Sequence, residues 1–114
     1  NMKNFKFDLN AKVAIYVPST TDVNVPTDNK KFVNKVMTKF SEWFGGCTST
    51  PAVGGWVSNS GALVVENVTI VYAFCTPESF GEHFEEVYTL ATEIRDEMKQ
   101  EAVTLEYNGQ VKFV

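Results

Sequence analysis

The sequence predicts an α+β fold: a ferredoxin-like βαββαβ sandwich with a mainly antiparallel sheet, both helices on one sheet face, and a C-terminal β-hairpin strand. Three observations predict it. Apolar side chains recur every second residue in four stretches, the strongest being Lys12–Val17 and Ala62–Cys75. They recur every third or fourth residue in Asp28–Phe44 and Ser79–Gln100. The segments run strand, helix, strand, strand, helix, strand, which is the split βαβ plan. With 114 residues the chain is expected to form a single domain over 1–114 with one core.

Each element has its own local reason. Phe5, Phe7, Leu9, Ala11, Val13, Ile15 and Val17 share the odd phase, and Lys6, Asp8, Asn10, Lys12 and Tyr16 fall on the other. Pro18 ends that strand because it lacks an N–H. Ser19–Asp28, rich in Ser, Thr, Asp, Asn and Pro, is a loop whose end, Thr27 or Asp28, caps the first helix. Phe32, Val33, Val36, Met37, Phe40, Trp43 and Phe44 form that helix's apolar stripe, and Gly45-Gly46 supplies its left-handed exit. Cys47–Val57 reads as a strand with an edge position or a bulge, because it contains Pro51 and Gly54-Gly55. Ala62–Cys75 is apolar on both phases, so it is expected to be the central strand. Thr76-Pro77-Glu78 starts the second helix, with Ser79 and Glu82 as an alternative capping box. Its stripe is Phe80, Phe84, Val87, Tyr88, Ala91, Ile94 and Met98. Val103, Leu105 and Tyr107 alternate, Asn108-Gly109 turns, and Val111 and Phe113 alternate again.

Composition excludes several classes of function. A net charge of −4 argues against a nucleic-acid binder, which normally carries a basic patch. No apolar run reaches the roughly 18–20 residues that span a bilayer, and no basic-then-apolar leader opens the chain. Asn1 ahead of Met2 reads as a tag remnant before the native start, so a cytoplasmic location is expected. Two cysteines and one histidine make a metal site improbable on composition, and no cofactor is expected.

The residues able to carry chemistry are few. Tyr16, Trp56 and Tyr72 fall where they can share a sheet face as an aromatic platform. Glu66, in the Ala62–Cys75 strand, is a further polar candidate. His83, between Glu82 and Phe84, is a potential general base tuned by Glu86, but its position is that of a solvated helix face. A fold-back at Asn59–Gly61 brings Cys47 and Cys75 near each other at one sheet end, as a redox pair or as two reduced thiols, the second being expected. Gly45-Gly46 and Gly54-Gly55 are not phosphate loops, since neither opens a helix or precedes Lys-Ser/Thr.

The stretches VGGWVSNSG and ALVVENVTIVYAF within Ala52–Phe74, with QEAVTLEYNGQ near the end, resemble a group of short uncharacterised bacterial proteins. Members of that group often lie on plasmids or integrative elements, so the resemblance implies a bacterial, mobile-element origin and no activity. The expected function is a non-enzymatic binding or regulatory module that self-associates through its sheet as a homo-oligomer, with a protein or small molecule as the other partner. One alternative is a small dimeric ferredoxin-like enzyme acting on an apolar or aromatic small molecule held between sheet and helices. The other is a mobile-element protein that binds a host protein.

Overall fold

The computed structural model describes residues 5–21 and 25–114; the Asn1–Met2 start and part of the Ser19–Asp28 loop lie outside them. In chain order the elements are β1 (Ala11–Pro18), β2 (Thr20–Thr21), β3 (Val25–Pro26), α1 (Lys30–Phe44), β4 (Thr48–Val57), β5 (Leu63–Cys75), α2 (Pro77–Glu97), β6 (Thr104–Tyr107) and β7 (Gln110–Phe113). Five strands form one sheet in the order β4-β5-β1-β6-β7, and β2 pairs with β3 alone. Every pairing among the described residues is antiparallel.

The odd phase of β1 packs into the core, with Ala11, Val13, Ile15 and Val17 all buried. They form one cluster with Val71, Ala73 and Cys75 of β5, Val36 and Phe40 of α1, and Val87, Leu90, Ala91 and Ile94 of α2. Phe5, Phe7 and Leu9 continue the alternation in sequence but lie exposed ahead of the strand.

The central strand is β1 and not Ala62–Cys75 as its composition suggested. Only the second half of β5 is covered. Its first half forms, with β4, a hairpin on which Val53, Trp56, Val57, Leu63 and Val65 are each more than half exposed. Apolar residues on both phases therefore mark an arm leaving the core as well as a buried strand. Pro51 and Gly54-Gly55 sit on an edge strand, as expected, but without a bulge: pairing runs unbroken from Thr48↔Tyr72 to Val57↔Leu63.

Helix ends follow local chemistry. The Ser79 N–H donates to Thr76 Oγ1 at 3.1 Å, which makes Thr76 the cap of α2. Gly45 closes α1 at φ 88°, a left-handed conformation that a Cβ disfavours. At the N-terminus of α1 the cap position is Asn29, whose side chain makes no capping bond, although Asp28 Oδ1 does accept from the Lys30 N–H at 2.9 Å. The expected α2 stripe is covered only in part. Val87, Ala91, Ile94 and Met98 are buried, whereas Phe84 and Tyr88 face outward, and Leu90 takes a core place that the stripe lacked. Asn108 and Gly109 both have positive φ, as a two-residue turn of this kind requires. Asn108 also clips the start of β1, because its Oδ1 accepts from the Lys12 N–H at 2.7 Å.

Candidate active site

The pairing of β1 with β5 and β6 decides what gathers on the sheet face opposite the core. Tyr16 lies across from Ile70, Ala14 from Tyr72 on one side and from Glu106 on the other. Glu66 follows on the same phase of β5, across from Gly54, which has no side chain to cover it. The Tyr16 phenol donates to Glu106 Oε1 at 2.8 Å. Both residues, like Glu66, are half-buried.

A recess of about 180 Å³ opens beside this pair, lined among others by Tyr16, Glu66, Asn67 and Gln100. A second, of about 250 Å³, lies against Ser19, Pro26 and Val64. The two share Thr20, Glu66 and Asn67 as walls. Gln100 Nε2 donates to the Thr20 carbonyl at 2.8 Å and so ties the Ser19–Thr21 strap to the segment after α2. One carboxylate, Glu66, the Tyr16 phenol and side-chain amides thus line a solvent-reachable space, and a second carboxylate, Glu106, holds the phenol from outside the lining. That set attracts a cation and accepts from ammonium or hydroxyl groups.

The hydrogen bond to Glu106, then burial, then the carboxylate's charge hold the Tyr16 phenol above its ordinary pKa. The group is therefore a neutral donor near neutral pH. A raised folded pKa on an acid favours the protonated form, so its contribution to stability is full below the unfolded value of about 10 and is lost as pH rises through the folded one. We expect ultraviolet phenolate titration to show one late-titrating tyrosine that disappears in Tyr16→Phe. A late component that persists in Tyr16→Phe would contradict the pairing.

The other residues marked in the sequence fall elsewhere. Tyr72 is on the same face, with Lys12 Nζ 4.4 Å from its ring centroid and Phe74 edge-on to it at 5.7 Å. Trp56 is on that phase too but far along the hairpin, across from Val64, so the three aromatics form no single platform. His83 does not project into solvent. Its ring stacks on Trp43 at 5.6 Å and meets Phe44 edge-on, while Nδ1 lies 2.7 Å from Glu86 Oε1. It joins α1 to α2 and lines neither recess. Cys47 and Cys75 are both free. Cys47 Sγ lies 3.4 Å from the Met37 carbonyl, and burial pushes the Cys75 thiol up, away from the reactive thiolate. Lys35 and Lys39 pair with Glu93 and Glu42 of the same chain. Among the described residues no cluster of metal-binding side chains occurs, and no helix is long and apolar enough to cross a membrane.

Glu106, Thr20, Asn67 and Gln100 are the site residues that sequence reading missed. A signal for Glu106 existed: it falls between Leu105 and Tyr107, on the phase opposite to both, and placing β6 beside β1 brings it to Tyr16.

The fold is that of a mixed α+β protein with two helices and a five-stranded antiparallel sheet. Two solved structures share it over nearly the whole chain. A phage SAM lyase in complex with S-methyl-5'-thioadenosine matches with a TM-score of 0.66 at 20% identity, covering 97% of this chain and 95% of that one. A phage SAM lyase in its apo state matches with a TM-score of 0.68 at 20% identity, covering 100% and 95%. No family model and no curated protein matches the sequence. These neighbours correct the expected function. Both of these neighbours are SAM lyases, so the expected non-enzymatic module is set aside together with both of its alternatives. The physical reason is in the site. The sheet face expected to be an aromatic docking platform carries an acid–phenol cluster and a recess, which lie on the side away from the helices' shared core.

Proposed function

We propose that this chain is an enzyme that cleaves SAM and releases S-methyl-5'-thioadenosine at the face formed by Tyr16, Glu66 and Glu106. The observation that carries the reading is a recess lined by Glu66 and by a Tyr16 phenol that Glu106 holds at 2.8 Å, in a fold whose solved neighbours are SAM lyases. The strand order β4-β5-β1-β6, with both helices contributing to one core cluster, supports the ferredoxin-like description of that fold.

The chemistry suits such a site. SAM carries a sulfonium and an α-ammonium, and two carboxylates in a chain of net charge −4 favour a cation. When the bond from sulfur to the γ-carbon of the amino-acid chain breaks, its electron pair goes to sulfur. The nucleoside then leaves as a neutral thioether and needs no proton. In a lyase no water enters, so the γ-carbon takes its new bond from within the substrate. The substrate's carboxylate oxygen can supply that pair without a base, closing a five-membered ring and cancelling one positive and one negative charge. Tyr16, held protonated, is a donor and not a base. The work left to the protein is to orient the chain, accept from the ammonium and ribose hydroxyls, and exclude water. The test is incubation of the purified protein with SAM and chromatographic detection of S-methyl-5'-thioadenosine. Release above the spontaneous rate is expected, and its absence with folded protein overturns the reading.

We also propose that the chain is a homo-oligomer. The β4–β5 arm exposes apolar side chains on both phases, and β4 leaves one sheet edge free. A second copy supplies a matching surface of the same composition. Sedimentation is expected to show a species heavier than the 12.7 kDa chain, lost in Trp56→Lys with Val57→Lys. A monomer at every concentration tested overturns it.

A further inference from the structure

Asn29 occupies the cap position of α1, yet its side chain does not cap. Its Nδ2 instead faces four oxygens: the Val17 carbonyl at 3.3 Å, the Pro18 carbonyl at 3.1 Å, Ser19 Oγ at 3.2 Å and Thr69 Oγ1 at 3.1 Å. Two of these are carbonyls, which only accept, so the atom facing them is the amide nitrogen. An Asn at this position normally bonds the second or third N–H of its own helix, and losing that bond costs about 1 kcal/mol. A local rule broken without local gain points to a demand from elsewhere in the fold.

That demand is legible in what the amide holds. Val17, Pro18 and Ser19 are the passage from β1 into the Ser19–Thr21 strap, and Thr69 belongs to the neighbouring β5. Ser19 walls the second recess and Thr20 walls both. The far side of the strap is fixed by the Thr27 N–H donating to the Ser19 carbonyl at 2.9 Å and by Gln100 donating to Thr20. We propose that Asn29 is a positioning residue: its diverted amide sets the Ser19–Thr21 wall of the Glu66 recess, and α1 forgoes a side-chain cap so that the wall is held. The inference rests on the reading of that recess as the SAM site.

Asn29→Ser separates the two roles, because Ser caps a helix as well as Asn does but is too short to span the four oxygens. Thermal stability is expected to stay at or above that of the wild type. Hydrogen exchange at the Thr27 amide, which reports the strap directly, is expected to speed by about tenfold or more, and KM for SAM to rise by about tenfold with a smaller change in kcat. Asn29→Asp keeps the size, is as able to cap, and places a carboxylate against two carbonyls, so it is expected to loosen the same amide. Wild-type exchange at Thr27 in both variants overturns the proposal, as does loosened exchange with KM and kcat unchanged. If the wild type proves not to cleave SAM, loosened exchange still supports Asn29 as the holder of the wall, and only the substrate assignment falls.

Discussion

Glu66→Gln and Glu106→Gln are each expected to slow release of S-methyl-5'-thioadenosine from SAM by about a hundredfold, with no loss of folding stability. Gln keeps the size and the acceptor oxygen of Glu and removes only the charge, and neither carboxylate takes part in a salt bridge of the described fold. The loss should appear in KM as well as kcat, because a cationic substrate is attracted before it reacts. The neutral product has no such attraction, so its inhibition constant should barely move in either variant. If both carboxylates act on the same cationic substrate, the double variant should lose less than the product of the two single losses. Tyr16→Phe should be milder, about tenfold, since it removes an orienting donor and leaves the charge of Glu106 in place. A control on the far side of the molecule is Glu82→Gln on α2, which touches neither recess. Full activity in Glu66→Gln and Glu106→Gln together would locate the chemistry elsewhere and remove the basis of the proposed site.

What the sequence disclosed about this site, and what it hid, divides along one physical line. Patterns with short reach were readable. The odd phase of β1, the Thr76 cap, the Gly45 exit and the Asn108-Gly109 turn each depend on a few neighbouring residues, and each lies where the pattern placed it. The fold-back of β4 on β5 was readable too, because one turn fixes its whole register. The site depends on β1 lying between β5 and β6, a placement set by which apolar faces the helices cover. No window of sequence contains that information. Tyr16 and Glu66 were therefore visible as isolated polar residues, while Glu106, ninety positions along from Tyr16, was not. The same limit explains His83. Glu82, Glu85 and Glu86 around it look solvated, but the ring lies on Trp43, which belongs to the other helix. It explains Asn29 as well: a capping residue next to a helix start invites the local reading, and its partners are in β1 and β5.

Phe40→Ala is expected to destabilise the fold by about 3–5 kcal/mol, a large share of the roughly 5–15 kcal/mol that holds a domain of this size together. Phe40 is fully buried. Its ring meets Phe44 edge-on at 5.6 Å and Trp43 at 6.3 Å, inside the cluster that joins α1 to β1, β5 and α2. Truncation removes the transfer free energy of a phenyl group and leaves a cavity that the packed rings cannot close, because Trp43 is itself stacked on His83. Urea or thermal denaturation should show the midpoint falling by about 10–20 °C or its urea equivalent. The matching experiment is Phe7→Ala, the same chemical change at a side chain that is 76% exposed ahead of β1, where a change within about 0.5 kcal/mol is expected. The contrast tests which end of the alternating N-terminal pattern belongs to the core. Equal losses at both positions would mean that Phe7 docks on the body in solution, and that the odd phase belongs to the core ahead of β1 as well as within it.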